Sequence, residues 1–362
     1  MSTTLPAPAT TTGSAESATA PPLTDGPTVP EQAGVLVGNV AGYMATRIIA
    51  IGQNAGFLEA LAEHPGLTVR QLADSRDTDE FYTSVWCRGA FGAGVLERAG
   101  EGYRLAPHLA TLLLDPTSPA YVGGMFPLVQ QPEMFGRFSE TLVSGERMWW
   151  SDTSHAWIDA VSGTGGPFYT RLVPGGLALV PGLTERLADG GLIVDSACGA
   201  GTGLLRLAEH FPSSRIIGVD GDSHSAARAR QRVVDAGLID RVEVLCQPLE
   251  QMELPAEAAL VVNNISMHEC RDIDLTTRRV LSALEPGGWF VVSDFPFPQS
   301  DEGLRTVPGR IMSGIQFFEA QIDDQLLPTS AYDDLLTRHG FTDLGTADLT
   351  PVHALTWGRR QL

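Results

Sequence analysis

From about residue 35 the stretch VLVGNVAGYMATRIIAIGQNAG places apolar residues at three- and four-residue spacing on more than one face, the pattern of a buried or interface helix. The next segment reads as a short helix, a turn at His64-Pro65-Gly66, a helix started by Thr68 and a further helix near 79–92. A small hairpin follows in GVLERAGEGYRLA, with its turn expected at Ala99-Gly100. Helix–turn–helix followed by a hairpin is the winged-helix arrangement. Residues 119–165 are helical and aromatic-rich, a connector in which Trp149, Trp150 and Trp157 either pack between domains or wall a pocket.

From about residue 166 the pattern alternates between strands and helices, which predicts a doubly wound α/β fold. The strands are expected at 191–197, 215–220, 242–246, 258–265 and 288–295, with a further one possible at 353–359. Between them lie the helical runs LLRLAEHF, HSAARARQRVVDAG, DLTTRRVLSALE and SAYDDLLTRHG, and Gly237 and Gly340 mark the ends of two of them. The expected organisation is a disordered tail (1–30), a mostly helical winged-helix domain (31–165) and an α/β domain (166–362).

Composition narrows the functional classes. A net charge of −19 disfavours nucleic acid and anionic membrane surfaces, because both are bound through Lys and Arg. The segment TDEFYTSVWCRGAFGAG, where a winged helix would read DNA, holds one Arg and no Lys. Residues 1–30 are rich in Thr, Ala, Pro and Ser and lack the basic and apolar regions of a signal peptide. The apolar run 34–57 is broken by Asn39, Arg47 and Asn54, which argues against a membrane span. Four cysteines without paired spacing give neither a zinc motif nor a disulfide framework and suit a reducing cytoplasm.

The chemistry concentrates in IVDSACGAGTG, residues 193–203. Gly199, Gly201 and Gly203 follow a strand and open a helix, at the carboxyl end of the sheet where α/β proteins bind ligands. Glycine spacing of this kind also occurs in dinucleotide enzymes, so the neighbouring acids decide. Asp220 ends the second strand, placed to take a ribose diol. Asp195 lies before the loop, where a carboxylate favours a cationic ligand over a pyrophosphate. Both point to S-adenosylmethionine, whose sulfonium and ammonium are positive.

VDSACGAGTG followed by GVD resembles the class I S-adenosylmethionine-dependent methyltransferases, with their Rossmann-like domain. With the front half included, the chain resembles the small-molecule O-methyltransferases that carry an N-terminal winged-helix dimerisation domain. The resemblance implies a cofactor site made by Asp195, Cys198, Gly199, Gly201, Gly203, Asp220, Gly221, Gln247, Pro248, Leu249 and Asn263. Where the family has Gly-Asp-Met or Gly-Asp-Phe after the third strand, this chain has Gln247-Pro248-Leu249. The resemblance makes His268 in SMHEC the general base and Asp294 its orienting acid. Trp149, Trp150, Phe168, Asn264 and Met312 are expected to contact the acceptor.

A second acid that the family carries near its late Thr is replaced here by Leu327. Glu319, Asp323 and Asp324 lie nearby, either available for that role or on a solvated face. Some relatives hold a metal through a His at this position and a second His further on. Residues 271–338 contain no His, so no metal is expected. The reading is a cytoplasmic homodimer that methylates a small molecule, most simply at oxygen, and releases S-adenosylhomocysteine. Carbon or nitrogen methylation, or other chemistry on the same fold, is the alternative. A ligand-sensing winged-helix regulator is the alternative of another class.

Overall fold

The computed structural model describes residues 26–362. The chain divides into two units between Ala45 and Thr46. The expected tail lies almost wholly outside the described residues. The first long helix, Val29–Asn54, crosses the division. Up to Ala45 its side chains are largely exposed, among them Val35, Leu36, Val37, Val40, Tyr43 and Met44. By length and composition it is able to cross a membrane, a measure that core helices of soluble proteins and signal sequences also meet.

From Thr46 onward, helices Phe57–Glu63, Val69–Arg76 and Glu80–Gly92 pack around Leu58, Leu61, Leu72, Trp86 and Cys87. Thr68 starts the second of these with a reciprocal cap, its hydroxyl accepting from the Gln71 N–H while Gln71 accepts from the Thr68 N–H. Asp79 caps the third. The hairpin that follows joins β1 (Leu96–Ala99) to β2 (Gly102–Leu105). Its turn falls at Gly100-Glu101, one residue later than expected, because Ala99 pairs with Gly102 and Gly100 takes a φ of 62°.

The rest of the chain builds a seven-stranded sheet. Its strands are β3 (Leu192–Ser196), β4 (Arg215–Asp220), β5 (Val242–Cys246), β6 (Ala258–Asn264), β7 (Leu284–Asp294), β8 (Thr342–Thr350) and β9 (His353–Arg359). The order is β5-β4-β3-β6-β7-β9-β8, parallel through β7, with β9 antiparallel to both its neighbours. Helices on both faces bury β3 and β6 completely, which is why these strands read as unbroken apolar runs. β8 escaped the sequence reading because it is an edge strand, TDLGTADLT, half exposed and rich in Thr and Asp. The order reverses at β3, so the carboxyl ends of β3, β4 and β6 open a crevice there.

Candidate active site

β3 ends in Asp195 and Ser196, both fully buried. The chain then turns through Ala197 at φ 70° and Gly201 at φ 85° before helix Thr202–His210 begins. A left-handed Ala is costly and is held in place by its N–H bond to the Val219 carbonyl, 2.8 Å. Gly203 lies under the ring of Tyr169, where a Cβ would stand 2.1 Å from Cε1. That closeness lets the Tyr169 hydroxyl reach both Asp195 oxygens, at 2.9 and 3.0 Å. Asp195 is therefore covered by Tyr169.

Asp220 ties the loops after β3 and β4 together. One oxygen accepts the Gly199 N–H at 2.7 Å and the other the Asp222 N–H at 2.9 Å. Burial pushes the Asp195 carboxyl up to about 7, against the Tyr169 hydrogen bond that lowers it. Burial likewise raises Asp220 to about 6, offset in part by its two backbone donors.

A pH dependence follows. A carboxyl whose pKa is raised on folding keeps a proton that the unfolded chain has already lost, so its stabilising contribution disappears as pH rises through the folded value. His353, lowered to about 3 by burial and Arg171, works in the opposite sense, but only below its ordinary value near 6.5. Between pH 6.5 and 8 the melting temperature of the ligand-free protein should therefore fall. The rise in melting temperature on adding S-adenosylmethionine, whose positive charges favour the ionised carboxylates, should be larger at pH 8 than at pH 6.5. Thermal melts with and without this ligand read both effects, and a midpoint that climbs over this interval would contradict them.

The loop after β6 carries the second group. Ile265, a β-branched residue, sits at φ 50°, pinned by its N–H bond to the Ser293 carbonyl at 2.7 Å. This brings back a loop in which His268 is 5% exposed. His268 Nδ1 lies 2.9 Å from Asp294 Oδ2. Asp294 is itself fixed by the Tyr332 hydroxyl and the Phe295 N–H, each at 2.7 Å. On the other side, His268 Nε2 is 3.7 Å from Glu319 Oε2 and 4.0 Å from Glu269 Oε1. Burial works to lower the His268 pKa, but Asp294 and Glu319 outweigh it and hold the imidazole well above its ordinary value. Burial raises Glu269 well above the usual carboxylate range, with Glu319 adding to it. Glu319 is itself buried, so it lies off the solvated face and beside the imidazole.

A third chain of hydrogen bonds ends at Asn264. Arg171 Nε donates to His353 Nδ1 at 3.1 Å, and His353 Nε2 lies 2.7 Å from the Ser293 hydroxyl. Arg171 has no acceptor, and His353 is neutral, so Nε2 carries the hydrogen and donates to Ser293. Ser293 in turn donates to the Asn264 carbonyl oxygen at 2.7 Å. The Asn264 amide nitrogen is left buried without a protein partner.

These groups border a cavity of about 390 Å³, a size suited to a small ligand. Of the expected residues, Cys198, Gly199, Asp220, Gly221, Pro248, Leu249, Asn264, Trp149 and Trp150 line it. Glu250 and Glu269 also line it, as do Tyr169 and Ile265. Others support it from outside the lining. Asp195 and Gly203 lie beneath Tyr169, Gly201 packs on Ala229, and Gln247 bonds through its N–H to the Asp220 carbonyl. His268 and Asp294 stand behind Glu269, fully enclosed.

Three further expected residues also lie outside the lining. Asn263 is fully buried and donates to the Ser196 carbonyl at 3.0 Å, tying β6 to β3, because both faces of a central strand meet protein. Phe168 packs against Phe295 and His353, and Met312 is 2% exposed in the core, as apolar side chains are on helix faces turned inward. Tyr169 was missed and carries no spacing signal. Glu319 was left between the missing acid's role and a solvated face, and its place inside the apolar run IQFFEAQI is the signal that separates the two.

Residues 193–288 match the family described as methyltransferase domain. Among curated proteins, ribosomal RNA small subunit methyltransferase H of Prochlorococcus marinus is 37% identical over 83 residues. That match covers 23% of this chain and 26% of that protein's length. Among solved structures, an O-methyltransferase family protein from Burkholderia thailandensis superposes with a TM-score of 0.66 at 19% identity, covering 91% of this chain and 98% of that one. Human N-acetylserotonin methyltransferase, solved with S-adenosylmethionine, gives a TM-score of 0.65 at 17% identity, covering 93% of this chain and 100% of that one. Residues 193–288 thus match a methyltransferase domain, and the chain shares its fold with these methyltransferase structures.

Proposed function

We propose that this protein transfers a methyl group from S-adenosylmethionine to an oxygen of a small-molecule acceptor, as in specialised metabolism. The observation that carries the reading is one cavity with two chemical ends, the Gly199–Asp220 loops at one and the His268 group behind Glu269 at the other. The cofactor, when bound, supplies an electrophilic methyl on a sulfonium.

The chain's own residues do the rest. Asp220 and Gly221 offer the hydrogen-bonding edge for a ribose diol, and Pro248 and Leu249 give an apolar wall for a base. Trp149, Trp150, Ile158 and Val161 provide an apolar enclosure that aligns a flat acceptor and excludes water. His268 takes up the hydroxyl proton at Nε2, while Asp294 at Nδ1 fixes the ring and balances the charge. Because the His268 pKa lies high, the base form grows as pH rises above neutrality.

The same reading makes the chain a homodimer through its helical front. The uncharged, exposed apolar segment from Val35 to Met44 is a surface that a second copy would cover. Its free cysteines suit a reducing cytoplasm.

Incubation with S-adenosylmethionine and a panel of hydroxylated aromatic and polyketide-like acceptors, followed by mass spectrometry of S-adenosylhomocysteine, tests the activity. The expected result is acceptor-dependent S-adenosylhomocysteine with an acceptor mass gain of one methyl group. A protein that neither binds S-adenosylmethionine by calorimetry nor forms this product would sink the reading.

A further inference from the structure

We propose that His268, Glu269 and Glu319 form a binding site for a divalent first-row transition-metal cation at the acceptor end of the cavity. Only the role assigned to the cation rests on the methyltransferase reading; the site itself does not. The expectation of no metal counted histidines alone, and here the carboxylates complete the set.

One ligand atom from each of the three residues lies within 4.8 Å of the other two. Two atoms held about 2.1 Å from a tetrahedral ion stand about 3.4 Å apart. The distances of 3.7 and 4.0 Å from His268 Nε2 to Glu319 and Glu269 therefore need only a small contraction.

Glu319 supplies the independent sign of a ligand. Its side chain is 5% exposed, and its Oε2 points toward His268 Nε2 without a hydrogen-bond partner. Buried carboxylates are ordinarily paired or bound to a metal. Asp324 Oδ2 is a second buried oxygen without a hydrogen-bond partner. Asp294, Glu269 and Glu319 thus surround one imidazole, at 2.9, 4.0 and 3.7 Å. A protonated imidazole supplies a single positive charge, and a divalent cation balances more of the cluster.

The surrounding contacts orient the donors. Asp294 accepts from Nδ1–H, which turns the lone pair of Nε2 toward the two glutamates, the arrangement found behind metal-bound histidines. Trp150 Nε1 donates to Glu269 Oε2 at 3.1 Å and leaves Oε1 for the cation. Mixed imidazole and carboxylate donors suit Zn²⁺, Fe²⁺ and Mn²⁺. Glu269 lines the cavity, so the open positions of the cation face the acceptor. An acceptor hydroxyl bound there would lose its proton more readily, as metal-bound water does. With the cation seated His268 is a ligand; without it His268 is the base.

The experiment titrates the full-length, chelator-treated protein with Zn²⁺, Mn²⁺ and Co²⁺ in turn, and separately with S-adenosylhomocysteine, by calorimetry. The expected result is one cation per chain, bound at least about 100-fold more weakly by Glu319→Gln and Glu269→Gln and about 10–100-fold more weakly by Asp294→Asn. Visible absorption of bound Co²⁺ should change in Glu319→Gln. Unaltered S-adenosylhomocysteine binding in these variants shows that they fold. No stoichiometric binding of any of the three metals, or binding unchanged in both Glu variants, overturns the proposal. A wild-type protein that takes S-adenosylhomocysteine but no metal overturns this site alone. One that takes metal but no S-adenosylhomocysteine supports the site and refutes the methyltransferase reading.

Discussion

His268→Ala should lower methyl transfer by about 10²–10⁴-fold, the range that a positioned general base contributes. S-adenosylhomocysteine affinity should stay at the wild-type value. The separation follows from the geometry, since His268 bonds Asp294 and faces Glu319 and Glu269, and none of its contacts reaches the glycine loop. Asp294→Asn gives the finer test. It removes the charge that does most to raise the imidazole, so the rate–pH profile should move to lower pH as the maximal rate falls. Turnover by His268→Ala at the wild-type rate would reduce catalysis to alignment of the two reactants. A profile that stays in place in Asp294→Asn would remove Asp294 from the proton's path.

Asp220→Ala should weaken S-adenosylhomocysteine binding by about 100-fold, since each hydrogen bond to a charged group is worth about 1.5–3 kcal/mol. Asp220 binds the Gly199 and Asp222 N–H groups while facing the cavity, so its loss would remove a ligand contact and unlatch both loops. Asp220→Asn keeps the shape but has one acceptor oxygen in place of two and should fall between the two proteins. Calorimetric titration gives the affinities, and a thermal melt without ligand provides the control. A buried carboxylate with a raised pKa contributes little to stability above that value, so the melt should respond less than the affinity. A lowered melting temperature with unchanged affinity would leave Asp220 a structural tie only.

The sheet was legible because its central strands are buried on both faces. Stretches such as LIVDS and AALVVNN are continuous apolar runs between glycine-bearing turns, and the structure places strands on them. β8 was not legible, because an exposed edge strand of Thr, Asp and Gly carries the composition of a loop. The places of the glycine loop and of Asp220 were legible for a local reason: one follows β3 and the other ends β4, where topology alone fixes their position. Asn263 and Asn264 show the limit of that logic. They are adjacent and alternate across the strand, so one joins β3 and the other meets the cavity. Glu319 lay further out of reach, since its meeting with His268 depends on how helix Val307–Glu319 returns over the sheet ends.

The Arg171-to-Asn264 chain gives the cavity a one-way polarity. Guanidinium can only donate, and that constraint passes through the imidazole and the hydroxyl until the amide has no choice of face. Any ligand atom opposite Asn264 has to bring a lone pair. A carbonyl, ether or phenolate oxygen meets a waiting N–H, whereas an ammonium or amide N–H at the same spot meets a like partner and leaves two donors unanswered. The site can therefore separate compounds of equal size and shape by the direction of one hydrogen bond.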